Sequence, residues 1–251
     1  MSLIAAKDRI IFALDVPNLS EAENYIDLLK DHVGVFKIGL ELFVACGPSV
    51  VKAVAERSGK GIFLDMKFHD IPATVKGAMM SASSLGADFI TVHCDEGRGL
   101  LQAVVEGSAG TKTKVLGVTV LTSLSGEDLV EIGIDEKYRT PQDLVLHRAR
   151  LARLANCSGV VCSGQEAKAV RQEFGDDFLI ITPGIRGSGD AVGDQKRVVT
   201  PYEAIYNGAD YIVVGRPIRN APDPPRAAAI IAEEIEKALK DRENGRVGKI
   251  E

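Results

Sequence analysis

The chain has 251 residues, of which 45% are hydrophobic and 26% charged, and its formal net charge is -5 at pH 7. This composition excludes a disordered or fibrous chain, and the acidic balance without a Lys/Arg-rich block argues against a nucleic-acid partner. The absence of an apolar run of about 18 residues argues against a membrane partner, and four scattered cysteines without a Cys-x-x-Cys pair predict buried thiols in the reducing cytoplasm.

Short apolar segments alternate with helix-like segments along the whole chain. The strand-like segments are residues 10–14, 33–38, 62–66, 89–92, 115–121, 159–162, 178–181 and 211–214. The helix-like segments are residues 20–30, 41–57, 72–85, 97–106, 144–154, 166–174 and 227–240. Nearly continuous apolar strands between helices are typical of a parallel sheet that is covered on both faces.

Eight such units predict an α/β fold, a single-domain (β/α)8 TIM barrel over residues 1–251, with residues 241–251 as a flexible polar tail. The main alternative is an open doubly wound sheet. That fold favours a Gly-x-Gly-x-x-Gly turn after its first strand, whereas residues 14–18 here read Leu-Asp-Val-Pro-Asn. The missing nucleotide fingerprint therefore favours the barrel.

Charged residues follow the first three predicted strands. Asp15 ends the first strand, Lys37 lies near the end of the second, and the third runs into Asp65, Lys67 and Asp70. Strand alternation places Asp65 and Lys67 on one face, and the carboxyl ends of barrel strands carry catalytic groups. Taken singly, Asp15 and Asp70 could serve helix N-termini, and Lys37 could pair structurally with Asp65. Their convergence on one rim predicts an active site.

The later strands end in residues suited to an anionic ligand. The fifth strand leads to Thr122 and Ser123, the seventh to a Pro-Gly-Ile-Arg segment at residues 183–186, and the eighth to Gly215 and Arg216. Barrels often bind phosphate near strands seven and eight, where arginine supplies a bidentate charge. The long Gly-rich segment 182–200 is either a solvated loop or, as its length favours, a lid.

Taken in order, these motifs resemble the orotidine 5'-phosphate decarboxylase family. The matching segments are residues 14–17, 36–39, the signature 65–74, 121–123, 183–186, 193–195 and 214–218. The resemblance implies that orotidine 5'-monophosphate is the nucleotide substrate and that it is decarboxylated to uridine 5'-monophosphate in pyrimidine biosynthesis. It also implies that neither a metal nor an organic cofactor assists.

The resemblance also assigns the catalytic roles. Lys67 would stabilise the carbanion at C6 of the pyrimidine and donate the replacing proton. Asp65 would lie near the departing carboxylate and hold Lys67, while Lys37 would neutralise Asp65 and contact the ribose hydroxyls with Asp15. Asp70 would complete the catalytic set.

The remaining site residues are implied in the same way. Asp70 and Thr74 would reach into the site of a neighbouring subunit, which predicts a homodimer. Thr122 and Ser123 would meet the pyrimidine. Pro183 is implied to contact the substrate, and the residues implied to hold the phosphate and close the lid are Arg186, Gln195, Gly215 and Arg216.

Two other functions fit part of the pattern. Sugar-phosphate enzymes of the same barrel group share an Asp-x-Lys-x-x-Asp strand end and use Mg²⁺ to stabilise an enediolate. A phosphate-binding barrel without activity is the second alternative, and it would be expected to lack Lys67 or one of its aspartates. Thr122 and Ser123, together with the Gly-Ile-Arg segment, favour a nucleotide over a sugar phosphate.

Overall fold

The computed structural model describes residues 4–187 and 196–247, which form a closed barrel of eight parallel strands in chain order. The strands are β1 Ile10–Ala13, β2 Val35–Ile38, β3 Gly61–Phe68, β4 Phe89–His93, β5 Lys114–Val118, β6 Gly159–Val161, β7 Leu179–Thr182 and β8 Tyr211–Val214. β8 pairs with β1 through Ile212 and Ile10, which closes the barrel. The predicted (β/α)8 architecture is confirmed.

Strand alternation divides the apolar side chains between two cores. The interior of the barrel is filled by one buried cluster, which consists of Ile11, Val35, Phe63, Phe89, Leu116 and Ile181. Their neighbours along the strands, such as Ile10 and Phe12, pack outward in the larger cluster that includes the helices. Because both faces of each strand are buried, the strands have the near-continuous apolar sequence from which they were predicted.

Helices cover the outside of the barrel. They are α1 Leu19–Leu29, α2 Leu40–Cys46, α3 Ser49–Ser58, α4 Pro72–Ser84, α5 Arg98–Gly107, α6 Gly126–Glu131, α7 Pro141–Leu154, α8 Gly164–Phe174, α9 Pro201–Tyr206, α10 Arg216–Arg219 and α11 Pro224–Val247. The helix predicted over 41–57 is two helices, because Gly47 adopts φ 70° and Pro48 follows it. The six-residue helices α6 and α9 were missed, since so few residues show no periodicity.

The last helix extends into the segment predicted as a flexible tail. α11 continues to Val247, and the Tyr202 hydroxyl donates a hydrogen bond to the Asp241 carboxylate at 2.8 Å. The Arg242 guanidinium donates to the Ile205 carbonyl at 3.1 Å. Residues 241–247 are thus helical rather than irregular, residues 248–251 lie outside the described residues, and the flexibility of the tail stays a prediction. Within residues 4–187 and 196–247, no helix combines the length and apolarity needed to cross a membrane.

Candidate active site

A cavity of about 370 Å³ lies at the carboxyl end of the barrel. It brings together most of the side chains predicted from the sequence, namely Asp15, Lys37, Asp65, Lys67, Thr122, Ser123, Pro183, Arg186, Gly215 and Arg216. Each lies at or just beyond the end of a strand, where side chains of a barrel converge. Gln195 lies outside the described residues.

Four charged residues of alternating sign form a chain along the β1, β2 and β3 side of the cavity. The Lys37 ammonium lies 2.8 Å from Asp15 Oδ1 and 3.8 Å from Asp65 Oδ2, and the Lys67 ammonium lies 2.7 Å from Asp65 Oδ2. The Asp65 side chain is only 13% exposed. Burial raises the pKa of Asp65, but Lys37 and Lys67 outweigh it and hold the pKa below its usual value. Asp65 is therefore ionised at neutral pH.

Lys67 is held on an irregular backbone. β3 loses its register with β4 between Leu64 and Phe68, and Lys67 has φ 49°, in the left-handed region that residues other than glycine seldom adopt. Such a conformation costs about 1–3 kcal/mol and is typical of functional sites. Asp65 and Lys67 do meet, as the alternation argument predicted, but through a distorted strand rather than a regular one.

The β7 and β8 side of the cavity is cationic. Gly215 follows β8, Arg216 begins α10, and the buried Arg186 donates from Nη1 to the Ile185 carbonyl at 2.7 Å. Arg219, which the sequence did not single out, donates to the Asp15 carbonyl. Among the described lining residues, five cationic side chains face the two carboxylates of Asp15 and Asp65. This excess of positive charge favours an anionic ligand.

The described end of the loop between β7 and α9 is tied to the segment that carries Thr122. The Lys196 and Arg197 amides both donate to the Thr122 carbonyl, at 3.0 and 3.2 Å. The Arg197 guanidinium donates to the Val120 carbonyl at 2.9 Å and lies 2.8 Å from Glu166 Oε1 in a nearly fully buried pair. Burial raises the pKa of Glu166, and Arg197 opposes that shift. The Arg197–Glu166 ion pair was not predicted from the sequence, because its two residues and the Val120 carbonyl come from three segments that are distant along the chain.

Asp70 and Thr74 do not line this cavity. Both are exposed at the start of α4, and the Asp70 carboxylate accepts a hydrogen bond from the Ile71 amide at 2.6 Å. Asp70 instead borders a shallow depression with His69, Glu96 and neighbours of α4 and α5. The assignment of Asp70 and Thr74 to a neighbouring subunit's site stays a prediction.

The model of the orotidine 5'-phosphate decarboxylase / HUMPS family matches residues 8–231, which span all eight strands. The chain belongs to this family. The resemblance inferred from the sequence motifs is thereby confirmed. The residues of the family signature at 65–74 lie in two places: Asp65 and Lys67 line the cavity, whereas Asp70 and Thr74 are exposed on the surface.

Relatives within the family match nearly the whole chain. The orotidine 5'-phosphate decarboxylase of Desulfosudis oleivorans is 48% identical over 240 residues, which cover 94% of this chain and 96% of that protein. That of Moorella thermoacetica is 48% identical over 239 residues, covering 92% and 93%. The crystal structure of the Lactobacillus acidophilus orotidine 5'-phosphate decarboxylase superimposes with a TM-score of 0.79 at 35% identity, covering 91% of this chain and 99% of that one.

Proposed function

We propose that this chain decarboxylates orotidine 5'-monophosphate to uridine 5'-monophosphate, a step of pyrimidine biosynthesis, without a metal or an organic cofactor. The observation that carries the proposal is the Lys67 ammonium, paired with the ionised Asp65 at 2.7 Å inside a cavity with excess positive charge. The cavity volume lies in the range of small-ligand sites. The family and the named relatives support the choice of substrate.

The chemical difficulty is the electron pair left on C6 when CO₂ departs. This pair lies in the plane of the pyrimidine ring, so it cannot delocalise into the π system. A fixed ammonium about 4 Å away stabilises it by roughly 4 kcal/mol at an effective dielectric near 20. Lys67 then transfers one proton from its ammonium to C6, and the resulting amine regains a proton from solvent. Asp65 supports both steps, because its carboxylate holds the Lys67 ammonium in position at 2.7 Å.

The other lining residues contact different parts of the substrate. In this proposal, Lys37 and Asp15 contact the ribose hydroxyls, and Thr122 and Ser123 contact the pyrimidine. Arg186, Gln195, Gly215 and Arg216 hold the phosphate, and Pro183 also contacts the substrate. Phosphate contacts remote from C6 supply binding energy that can close the site around the charged chain.

A Mg²⁺-assisted reaction on a sugar phosphate is the second candidate, and the contacts of Asp65 argue against it. Asp65 Oδ2 contacts Lys67 at 2.7 Å, and Oδ1 accepts from the Thr91 hydroxyl at 2.9 Å. Asp15 Oδ1 is likewise engaged by Lys37 at 2.8 Å. Carboxylates occupied by lysines are poor ligands for a hard cation, because the positive charges repel it.

We further propose that the chain works as a homodimer in the cytoplasm, with Asp70 and Thr74 entering the partner's cavity. Ile71, which directly follows Asp70, is 66% exposed, and an apolar side chain at this place suits burial against a second copy. All four cysteines are free thiols, as expected in a reducing compartment.

The reaction is tested by following the loss of orotidine 5'-monophosphate absorbance with purified protein in EDTA. Turnover that survives EDTA and is abolished in Lys67→Ala supports the proposal. Arg216→Ala should strongly lower kcat/KM for this phosphorylated substrate. A folded protein without turnover, or turnover that requires added Mg²⁺, would contradict it.

The shared site is tested by mixing Lys67→Ala and Asp70→Asn subunits, each inactive alone. A mixed dimer holds one intact site only if Asp70 acts on its partner. Random mixing should then restore about a quarter of parental activity, since half of the dimers are mixed and each has one working site. No recovery, with mixed dimers verified by mass, would place Asp70 in its own chain's site.

A further inference from the structure

We infer that Thr91 is a positioning residue for the reaction, holding both the backbone that carries Lys67 and the carboxylate that binds its ammonium. The inference rests on the proposed function, which it extends by one residue. Thr91 is completely buried in β4. Its hydroxyl donates to Asp65 Oδ1 at 2.9 Å and accepts the Lys67 amide N–H at 2.9 Å.

The register of β3 against β4 explains why a hydroxyl is needed at this place. Leu64 pairs with Ile90 and Phe68 pairs with Val92, so three residues of β3 lie opposite Thr91 alone. This bulge disrupts the regular ladder between the strands. The Lys67 amide hydrogen-bonds to the threonine side chain instead. The Thr91 hydroxyl thus takes the place of a backbone acceptor at the residue where the chain adopts its left-handed φ of 49°, Lys67.

The direction of the two hydrogen bonds follows from charge. An ionised carboxylate only accepts, so the single hydroxyl proton of Thr91 must point to Asp65, which leaves the oxygen lone pairs for the Lys67 amide. The hydroxyl therefore couples the side chain of Asp65 to the backbone of Lys67. Both ends of the Asp65–Lys67 ion pair are held through one buried atom.

A buried threonine can also be merely structural, and the chain provides a matched comparison. Thr119, just after β5, is equally buried, and its hydroxyl donates to the Val161 carbonyl at 2.9 Å. It makes no contact with Asp65 or Lys67 among the described hydrogen bonds. Thr119→Val therefore removes a buried hydroxyl and one hydrogen bond without disturbing the charged chain.

The experiment compares Thr91→Val, Thr91→Ser and Thr119→Val in the full chain, with kcat, KM, the pH profile of kcat and urea unfolding as measurements. Thr91→Val should lower kcat by about tenfold to 100-fold with little change in KM, because it leaves the Lys67 amide without its acceptor. Thr91→Ser should restore most of the activity. Thr119→Val should lose stability but keep kcat.

The pH profile separates positioning from stability. Burial raises the pKa of Asp65, whereas Lys37 from β2, Lys67 from its own strand and the Thr91 hydrogen bond lower it. His93, at the end of β4, has its own pKa lowered mainly by burial. Loss of the hydroxyl should therefore move the acidic limb of the profile to higher pH in Thr91→Val and leave it unchanged in Thr119→Val.

The outcomes distinguish the two proposals. A parent protein without turnover contradicts the proposed function. An active parent whose Thr91→Val variant keeps parental kcat, or loses no more than Thr119→Val, overturns the role of Thr91. Should Thr91→Val fail to fold, Thr91→Cys carries the same test, because a thiol is a weak donor and acceptor of similar size.

Discussion

Gly39 determines how closely Lys37 can approach its two carboxylates. A Cβ atom at this position would lie 2.9 Å from Lys37 Nζ and 3.2 Å from Asp15 Oδ1. The backbone of Gly39 has φ -92° and ψ -177°, which an alanine adopts without strain. Gly39→Ala should therefore leave the backbone unchanged and push the Lys37 ammonium away from the carboxylates.

The size of the effect follows from the distances. Lys37 Nζ lies 3.8 Å from Asp65 Oδ2, and moving it about 1 Å further away weakens the attraction by about 1 kcal/mol at an effective dielectric near 20. Because Lys37 also contacts the ribose in the proposed mechanism, we expect kcat/KM for orotidine 5'-monophosphate to fall at least about fivefold. The decarboxylation assay measures this directly, alongside urea unfolding.

Gly245→Ala is the matched control. Gly245 is exposed in α11, and an added Cβ meets nothing within 4 Å. This variant should keep parental activity and gain up to about 1 kcal/mol of stability, because alanine favours the helix. If Gly39→Ala is folded and has the same kcat/KM as Gly245→Ala, the close approach of Lys37 to the carboxylates does not matter for turnover.

Two further predictions concern buried charges. Arg197→Met should lower the free energy of unfolding, measured in urea, by about 3–5 kcal/mol, because Glu166 is left buried without its partner. The double variant Arg197→Met with Glu166→Leu should recover most of that loss. Equal stability of the parent and Arg197→Met would show that the ion pair is not needed for stability. The pKa of Asp65 is lower in the folded than in the unfolded chain, so its ionisation contributes stability above about pH 4 that is lost as the pH falls through the folded pKa. Asp65→Asn should therefore lose less stability than the parent between neutral and acidic pH, and parallel pH curves for the two proteins would refute this.

The strands were predictable because the barrel demands apolar residues on both of their faces. Phe63 and Phe89 fill the interior while their neighbours face the helices, so each strand stands out as an apolar run whatever its exact ends. The charged strand ends were also visible, since Asp65 and Lys67 interrupt such a run. Helices α6 and α9 were not visible as periodic segments, although Ser125 and Thr200 each form a capping box that marks their starts.

The contacts that orient the site could not be read from the sequence. Thr91 lies within an apolar strand, and its role depends on a register shift in β3 that only the paired strands reveal. Arg197 is separated by 77 residues from Val120, whose carbonyl it binds. The role of a buried side chain such as Arg197 is identified from the groups that it contacts. Those groups lie far away in the sequence, and only the folded chain brings them together.

Three irregular features of the barrel lie beside the same charged chain. They are the left-handed backbone of Lys67, the bulge opposite Thr91, and Gly39, whose lack of a side chain leaves room for the Lys37 ammonium. Each of them costs stability or restricts which residue can occupy the position. The result is a site in which Asp15, Lys37, Asp65 and Lys67 alternate in sign, so that each of these four charges has an opposite neighbour. The ammonium of Lys67 is thereby fixed before substrate arrives, and the reaction need not supply the energy to orient it.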